Sequence, residues 1–146
     1  MSFLSDLEKY ITKYQQPLNL HCFQVVEKKD GPGMGAFLRL SNNKMGIELI
    51  NDKGQIFIKL EKEKYSVDLA LLLSFIKLED EKQDLRFMFF EDKFSIWEIN
   101  YDYSDPINSL LRNFDKIDSF LGRIKVNELK ELVYEYNKDR GKWLYR

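Results

Sequence analysis

The chain has 146 residues, with 23 basic and 24 acidic side chains and a net charge of −1. This length is typical of one folded domain, so we expect a single α+β domain over residues 1–146. The balanced charge disfavours a nucleic-acid binder, which needs a basic surplus, and no apolar run approaches the roughly 18 residues of a membrane span.

The amino terminus and the cysteine content predict a cytoplasmic location. The segment 1–8 has no basic region and contains acidic residues from Asp6 onward, unlike a secretory signal. Cys22 is the single cysteine, which excludes an internal disulfide and suits a reducing compartment.

The first third of the chain predicts a helix followed by extended structure. The spacing of Ser5 and Glu8 matches a capping box, and apolar residues then recur at three and four positions, so we expect an amphipathic helix that ends at Pro17. An extended segment follows from Leu18 to about Lys28. Three glycines between positions 31 and 35 then predict a loop.

Residues 36–60 alternate between apolar and polar side chains, which predicts a three-stranded antiparallel meander. If Asn42-Asn43 and Asp52-Lys53 are two-residue turns, Leu38 lies opposite Ile47 and Ile47 lies opposite Ile58. One face is then the core. The other face carries Phe37, Arg39, Glu48, Ile50, Phe57 and Lys59.

A central helix and a second hairpin are expected after the meander. Ser66 is a candidate N-cap, and leucines and isoleucine recur at helical spacing between Leu69 and Ile76. Residues 85–90 and 94–101 alternate like a hairpin. A three-residue loop, 91–93, places Arg86 opposite Glu98.

The carboxy-terminal part predicts further helices. Asp105 precedes Pro106, which is favoured at the first position of a helix. The helical pattern breaks near Asn113, and a last helix is expected from about Asn127 to Tyr136, stopping by Gly141. The predicted class is therefore α+β: an antiparallel sheet made of a meander plus a hairpin, with an N-terminal helix, a central helix and C-terminal helices.

The residues that could support catalysis do not combine into a known arrangement. His21 and Cys22 are adjacent in the predicted extended segment, where neighbouring side chains point to opposite faces and cannot form a dyad. One histidine and one cysteine also exclude a zinc site built from these ligands. We predict no enzyme activity, no metal and no cofactor; a hydrolase using Glu98, Asp102 or Asp105 is the catalytic alternative.

An acidic stretch indicates a binding surface for a protein. Residues 79–105 contain nine acidic and three basic side chains, a net charge of −6. In the predicted hairpin, one face combines apolar side chains with an acidic rim, which is typical of a protein interface. The predicted partner-binding residues are Met88, Phe90, Glu91, Asp92, Phe94 and Glu98.

The order of strands and helix starts resembles that of small bacterial immunity-type proteins of polymorphic or contact-dependent toxin systems. The resemblance lies in the segments 37–40, 51–58 and 65–69. It implies a cytoplasmic inhibitor that binds and neutralises a toxin domain, with an acidic surface suited to a basic partner. The alternative in the same binding class is a small acidic secretion chaperone, which usually dimerises; the oligomeric state stays open.

Overall fold

The computed structural model describes residues 2–31, 35–80 and 101–144, with the side chains of 139–144 left aside. These residues form two compact units. The first comprises the described residues of 1–69 together with 102–112, and the second those of 70–101 together with 113–146. An antiparallel sheet accompanied by helices confirms the α+β class. The single-domain expectation stays a prediction.

The first unit begins with two short helices, α1 (Phe3–Lys13) and α2 (Gln15–Leu20). The N-cap of α1 is Ser2, not Ser5: the Ser2 hydroxyl accepts the Ser5 amide at 3.0 Å. Pro17 does not end a helix but lies in the first turn of α2, where a missing N–H costs no intrahelical bond.

The sheet of the first unit is formed by five consecutive antiparallel strands, so the described part of the chain contains more than the predicted meander. The additional strands are the first and the last in the order. Ser66 lies in the last strand rather than capping a helix. The strands are β1 (Gln24–Asp30), β2 (Gly35–Ser41), β3 (Gly46–Asp52), β4 (Gln55–Lys62) and β5 (Tyr65–Asp68).

The predicted faces of the meander are correct, but both registers are shifted by two residues. Leu38 lies opposite Leu49 rather than Ile47. Ile47 lies opposite Leu60 rather than Ile58. The first turn spans 42–45, where the Asn42 side chain accepts two backbone amides, and the second is Lys53-Gly54.

One face of the sheet forms the core of the first unit. Leu38, Leu49 and Ile58 are each no more than 1% exposed and lie in one row across β2, β3 and β4. Helix α1 contacts β1, β2 and β3. It lies over this face, because the carbonyl of Phe3 accepts a hydrogen bond from the side chain of Asn51, which shares the face with Leu49.

Helix α4 (Pro106–Arg112) completes the first unit, and Pro106 occupies its first position as predicted. Ile107 and Leu110 are buried at 1% exposure. The helix contacts β4 and is joined to α1 through Asp105.

The second unit is helical in its described part. Its helices are α3 (Leu69–Asp80), α5 (Phe114–Arg123) and α6 (Val126–Leu144), with Leu69 still belonging to the first unit. The helical break predicted at Asn113 is confirmed, while α6 continues past Gly141 rather than stopping there. The predicted hairpin falls in residues 81–100, outside the described residues, except for Tyr101.

Candidate functional site

The outer face of the sheet, opposite the Leu38 face, carries an apolar row. Phe37 of β2 lies opposite Ile50 of β3, which lies opposite Phe57 of β4. All three side chains are partly exposed. Aromatic and β-branched residues opposite one another stabilise a sheet, and they also place three large apolar side chains on one surface. We call these three residues the apolar row.

A second row on the same face consists of charges that alternate in sign. Every strand contributes one residue, and each residue is directly opposite the next. Opposite charges across neighbouring strands attract one another, so this row favours the observed register. We call it the charged row; its members are Glu27, Arg39, Glu48, Lys59 and Asp68.

Two members of the charged row are held in place by neighbouring side chains. The Arg39 guanidinium donates to Glu61 at 2.5 Å, and the Ser66 hydroxyl donates to Glu48 at 2.8 Å. Gly46 leaves room for the guanidinium: a Cβ there would lie 3.4 Å from Arg39 Nη2 and 3.2 Å from the Cβ of Glu61. The half-buried side chains of this row therefore keep defined positions.

A sheet face with these two rows suits recognition of another protein surface. Neighbouring strands are about 4.8 Å apart, so the apolar row extends over roughly 10 Å. Protein interfaces combine a central apolar cluster with a polar or charged border. The alternation along the charged row can also select the orientation of a partner, because a shifted partner brings like charges together.

The carboxylate of Asp105 forms the main cluster of perturbed titratable groups in the described residues. The hydroxyl groups of Tyr10 and Tyr14 donate to its two oxygens, the first at 2.6 Å. Burial, followed by the hydrogen bond to Asp105, raises the pKa of Tyr10 above its ordinary value and that of Tyr14 to about 12. Burial raises the pKa of Asp105, but the hydrogen bonds from the two hydroxyl groups and the Asn108 amide, together with the charge of Lys13, hold that pKa below its usual range.

The carboxylates considered for a hydrolase have local partners where the structure describes them. Asp105 accepts hydrogen bonds from the hydroxyl groups of the two tyrosines, and the Asn108 amide at the start of α4 also donates to it at 3.4 Å. Asp102 accepts the hydroxyl and the amide of Ser104, and these bonds lower its pKa. Glu98 lies outside the described residues. The two described carboxylates thus stabilise the loop before α4.

His21 and Cys22 lie in a turn rather than in a strand, which corrects the sequence-based expectation. Helix α2 continues to Leu20, and the amides of Cys22 and Phe23 donate back to its last carbonyls at 2.9 and 3.0 Å. This is a Schellman motif, whose residue after the C-cap needs a positive φ; Cys22 has φ 64°. The alternation of strand side chains therefore does not separate His21 from Cys22, and the Cys22 side chain is exposed.

The six residues predicted to bind a partner lie outside the described residues. They are Met88, Phe90, Glu91, Asp92, Phe94 and Glu98. The outer face of the sheet was identifiable from the sequence, since the alternation that buries Leu38 leaves Phe37 on the other side. The signal was the presence of three large apolar residues on the face that had not been assigned to the core.

Within residues 2–31, 35–80 and 101–138, no group of three or more acidic, histidine or cysteine side chains is arranged to hold a metal ion. None of the described helices is long and apolar enough to cross a membrane. Comparisons with protein-family models, with curated proteins and with solved structures find no match to the chain.

Proposed function

We propose that the chain is a non-catalytic protein-binding domain, acting in the cytoplasm as a bacterial immunity protein that binds and neutralises a toxin domain. The observation that carries the binding part is the apolar row beside the charged row on one sheet face. The toxin as partner comes from the resemblance to immunity-type proteins and from the acidic stretch.

The outer face supplies the two properties that a specific inhibitor needs. Removal of Phe37, Ile50 and Phe57 from water on binding stabilises a complex, by roughly 25 cal/mol for each Å² of apolar surface. The charged row supplies selectivity, because its pattern of signs matches a partner in one orientation. A rigid sheet limits the conformational entropy that is lost on binding.

The acidic stretch 79–105 contributes to the rate of association. Its net charge of −6 attracts a basic partner, such as a toxin that acts on nucleic acid, over a distance limited by salt to about 8–10 Å. The six predicted contact residues belong to this stretch, and we retain them as a second contact. Charge reversal of Glu91 and Asp92 should therefore slow association and weaken its salt dependence.

Protection of cells from a toxin tests this proposal directly. A neighbouring gene product that is toxic when it is expressed alone is co-expressed with the wild-type chain or with the double variant Phe37→Gln and Phe57→Gln. Tyr134→Gln on α6 is the matched control, since Tyr134 is an exposed apolar side chain, 64% accessible, outside the sheet. We expect the wild type and Y134Q to restore growth and the double variant to fail.

Two results would contradict the proposal. If the wild-type chain gives no protection and forms no complex with the toxin domain, it is not an immunity protein for that toxin. If the double variant protects as well as the wild type while circular dichroism shows that it is folded, the outer face is not the binding surface.

A further inference from the structure

Strand β1 is an exposed edge of the sheet that the described residues form. It lies at one end of the strand order, and β2 is its strand neighbour in the part of the chain that the structure describes. All seven of its residues are exposed, including Val25 at 42% and Val26 at 54%. The backbone groups on the outer edge of such a strand can pair with another strand.

The register of β1 against β2 assigns its charged side chains to faces. Glu27 and Lys29 lie on the outer face, and their charged groups are 3.9 Å apart. Lys28 lies on the opposite face, where it forms an ion pair with Glu8 of α1 at 3.2 Å. The Glu27–Lys29 pair on the outer face is therefore available to a second strand that lies beside β1.

The symmetry of a dimer restricts how β1 can pair with a second copy of itself. Antiparallel pairing places a two-fold axis perpendicular to the sheet, so that outer faces join outer faces and opposed residues share a face. With the axis at Lys28, Glu27 of each copy lies opposite Lys29 of the other. With the axis at Glu27 two glutamates are opposed, and with the axis at Lys29 two lysines are opposed.

Charge compensation favours the register centred on Lys28. The two Lys28 side chains that meet there each retain Glu8 of their own copy as a partner. Charges on an edge strand ordinarily prevent pairing because the incoming strand does not match them. Here Lys29 of the second copy lies opposite Glu27, and Glu27 of the second copy lies opposite Lys29, so both charges meet an opposite charge.

We infer that the chain forms a two-fold symmetric dimer by antiparallel pairing of β1 with β1 of a second copy, with Glu27 of each copy opposite Lys29 of the other. With the axis at Lys28, residues 26–30 of the two strands overlap, which is a small interface, so the dimer depends on concentration rather than being obligate. This inference goes beyond toxin binding, because it uses the backbone edge of β1 rather than the apolar row; Glu27 belongs to both the dimer contact and the charged row.

Charge exchange tests the dimer. Sedimentation velocity over a range of concentrations gives the dissociation constant of the wild type, of Glu27→Lys, of Lys29→Glu and of the double exchange E27K/K29E. Each single change creates two like-charge contacts, so we expect the dissociation constant to rise about tenfold or more. The double exchange restores opposite charges and should restore the dimer.

Lys125→Glu is the matched control: it makes the same charge change at an exposed position between α5 and α6, outside the sheet, and should leave the dimer intact. A wild-type chain that stays monomeric at every concentration overturns the inference. A dimer that tolerates both single changes, or that the double exchange does not restore, overturns the pairing of Glu27 with Lys29. Lys29→Glu leaves the charged row unchanged, so toxin protection measured with this variant lets either proposal fail without the other.

Discussion

The hydroxyl of Tyr10 donates a hydrogen bond of 2.6 Å to the carboxylate of Asp105, which is 95 residues away in the sequence. The hydroxyl of Tyr14 donates to the other oxygen, and the Ile107 amide donates to the Tyr10 oxygen at 2.8 Å. One carboxylate therefore joins successive turns of α1 to the start of α4.

Replacement of Asp105 by asparagine should lower the free energy of unfolding by about 1.5–3 kcal/mol, the range for hydrogen bonds to a charged group. Asparagine is as good an N-cap as aspartate, so the loss reports on the tyrosine contacts. Urea denaturation of D105N, Y14F and the double variant measures the coupling. We expect the double variant to lose less than the two single losses combined; additive losses would show that Tyr14 and Asp105 do not interact.

Stability should fall in strongly alkaline solution because of the same tyrosines. Burial and the bond to Asp105 raise the pKa of Tyr14 to about 12, against about 10 in an unfolded chain. The stabilisation that protonated Tyr14 contributes is complete below about pH 10 and is lost as the pH rises toward about 12. Unfolding free energies measured across this window should decline more steeply for the wild type than for Y14F.

The acidic side of the pH profile should depend on Asp105. Its folded-state pKa is lowered by the tyrosine hydroxyl groups despite its burial, so its stabilisation is present above the ordinary value of about 3.9 and is lost as the pH falls through the folded pKa. D105N removes this group. If the free energy of unfolding of D105N falls with acid as steeply as that of the wild type, the acid dependence does not come from Asp105.

Cys22 should be replaceable by glycine with a gain in stability. Its φ of 64° is unfavourable for a residue with a Cβ, so Cys22→Gly should raise the free energy of unfolding by about 1 kcal/mol. Cys22→Ala keeps the Cβ and removes the thiol, and it should change stability little. If alanine stabilises as much as glycine in thermal denaturation, the thiol rather than the backbone is the source of the effect.

Asn51 should be sensitive to truncation. Its side chain is 1% exposed, donates to the Phe3 carbonyl at 3.2 Å and accepts the Gly54 amide at 2.9 Å. Asn51→Ala leaves both backbone groups without this partner, at a cost of about 1–3 kcal/mol. Asn127→Ala, at an exposed position of α6, should cost far less; equal losses in chemical denaturation would refute a specific role for Asn51.

The sequence predicts sheet faces better than strand registers. Alternation assigns Leu38 and Ile47 to the core face, and a shift of two residues leaves every side chain on its face. The register depends on turn length, which in the first hairpin is set by the hydrogen bonds that the Asn42 side chain accepts from the Lys44 and Met45 amides. In the second, Lys53 and Gly54 both have positive φ values, a backbone that suits a two-residue turn one position later than expected.

Local patterns were less informative where a residue contacts distant parts of the chain. Ser66 matches an N-cap by composition, but its hydroxyl bonds Glu48 across the sheet. The pairing of Tyr10 with Asp105 could not be foreseen, because no periodic pattern relates residues so far apart. The start of α4 at Pro106 was predictable because its signals are adjacent in sequence.

Calorimetric titration of the purified toxin domain into the wild-type chain and into variants of the outer face tests the central claim most directly. We predict a saturable complex whose dissociation constant rises roughly tenfold or more on Phe57→Gln, as for a buried contact at the centre of an interface, and stays unchanged on Tyr134→Gln. Equal affinity of F57Q and the wild type, with both proteins folded, would contradict binding through the apolar row.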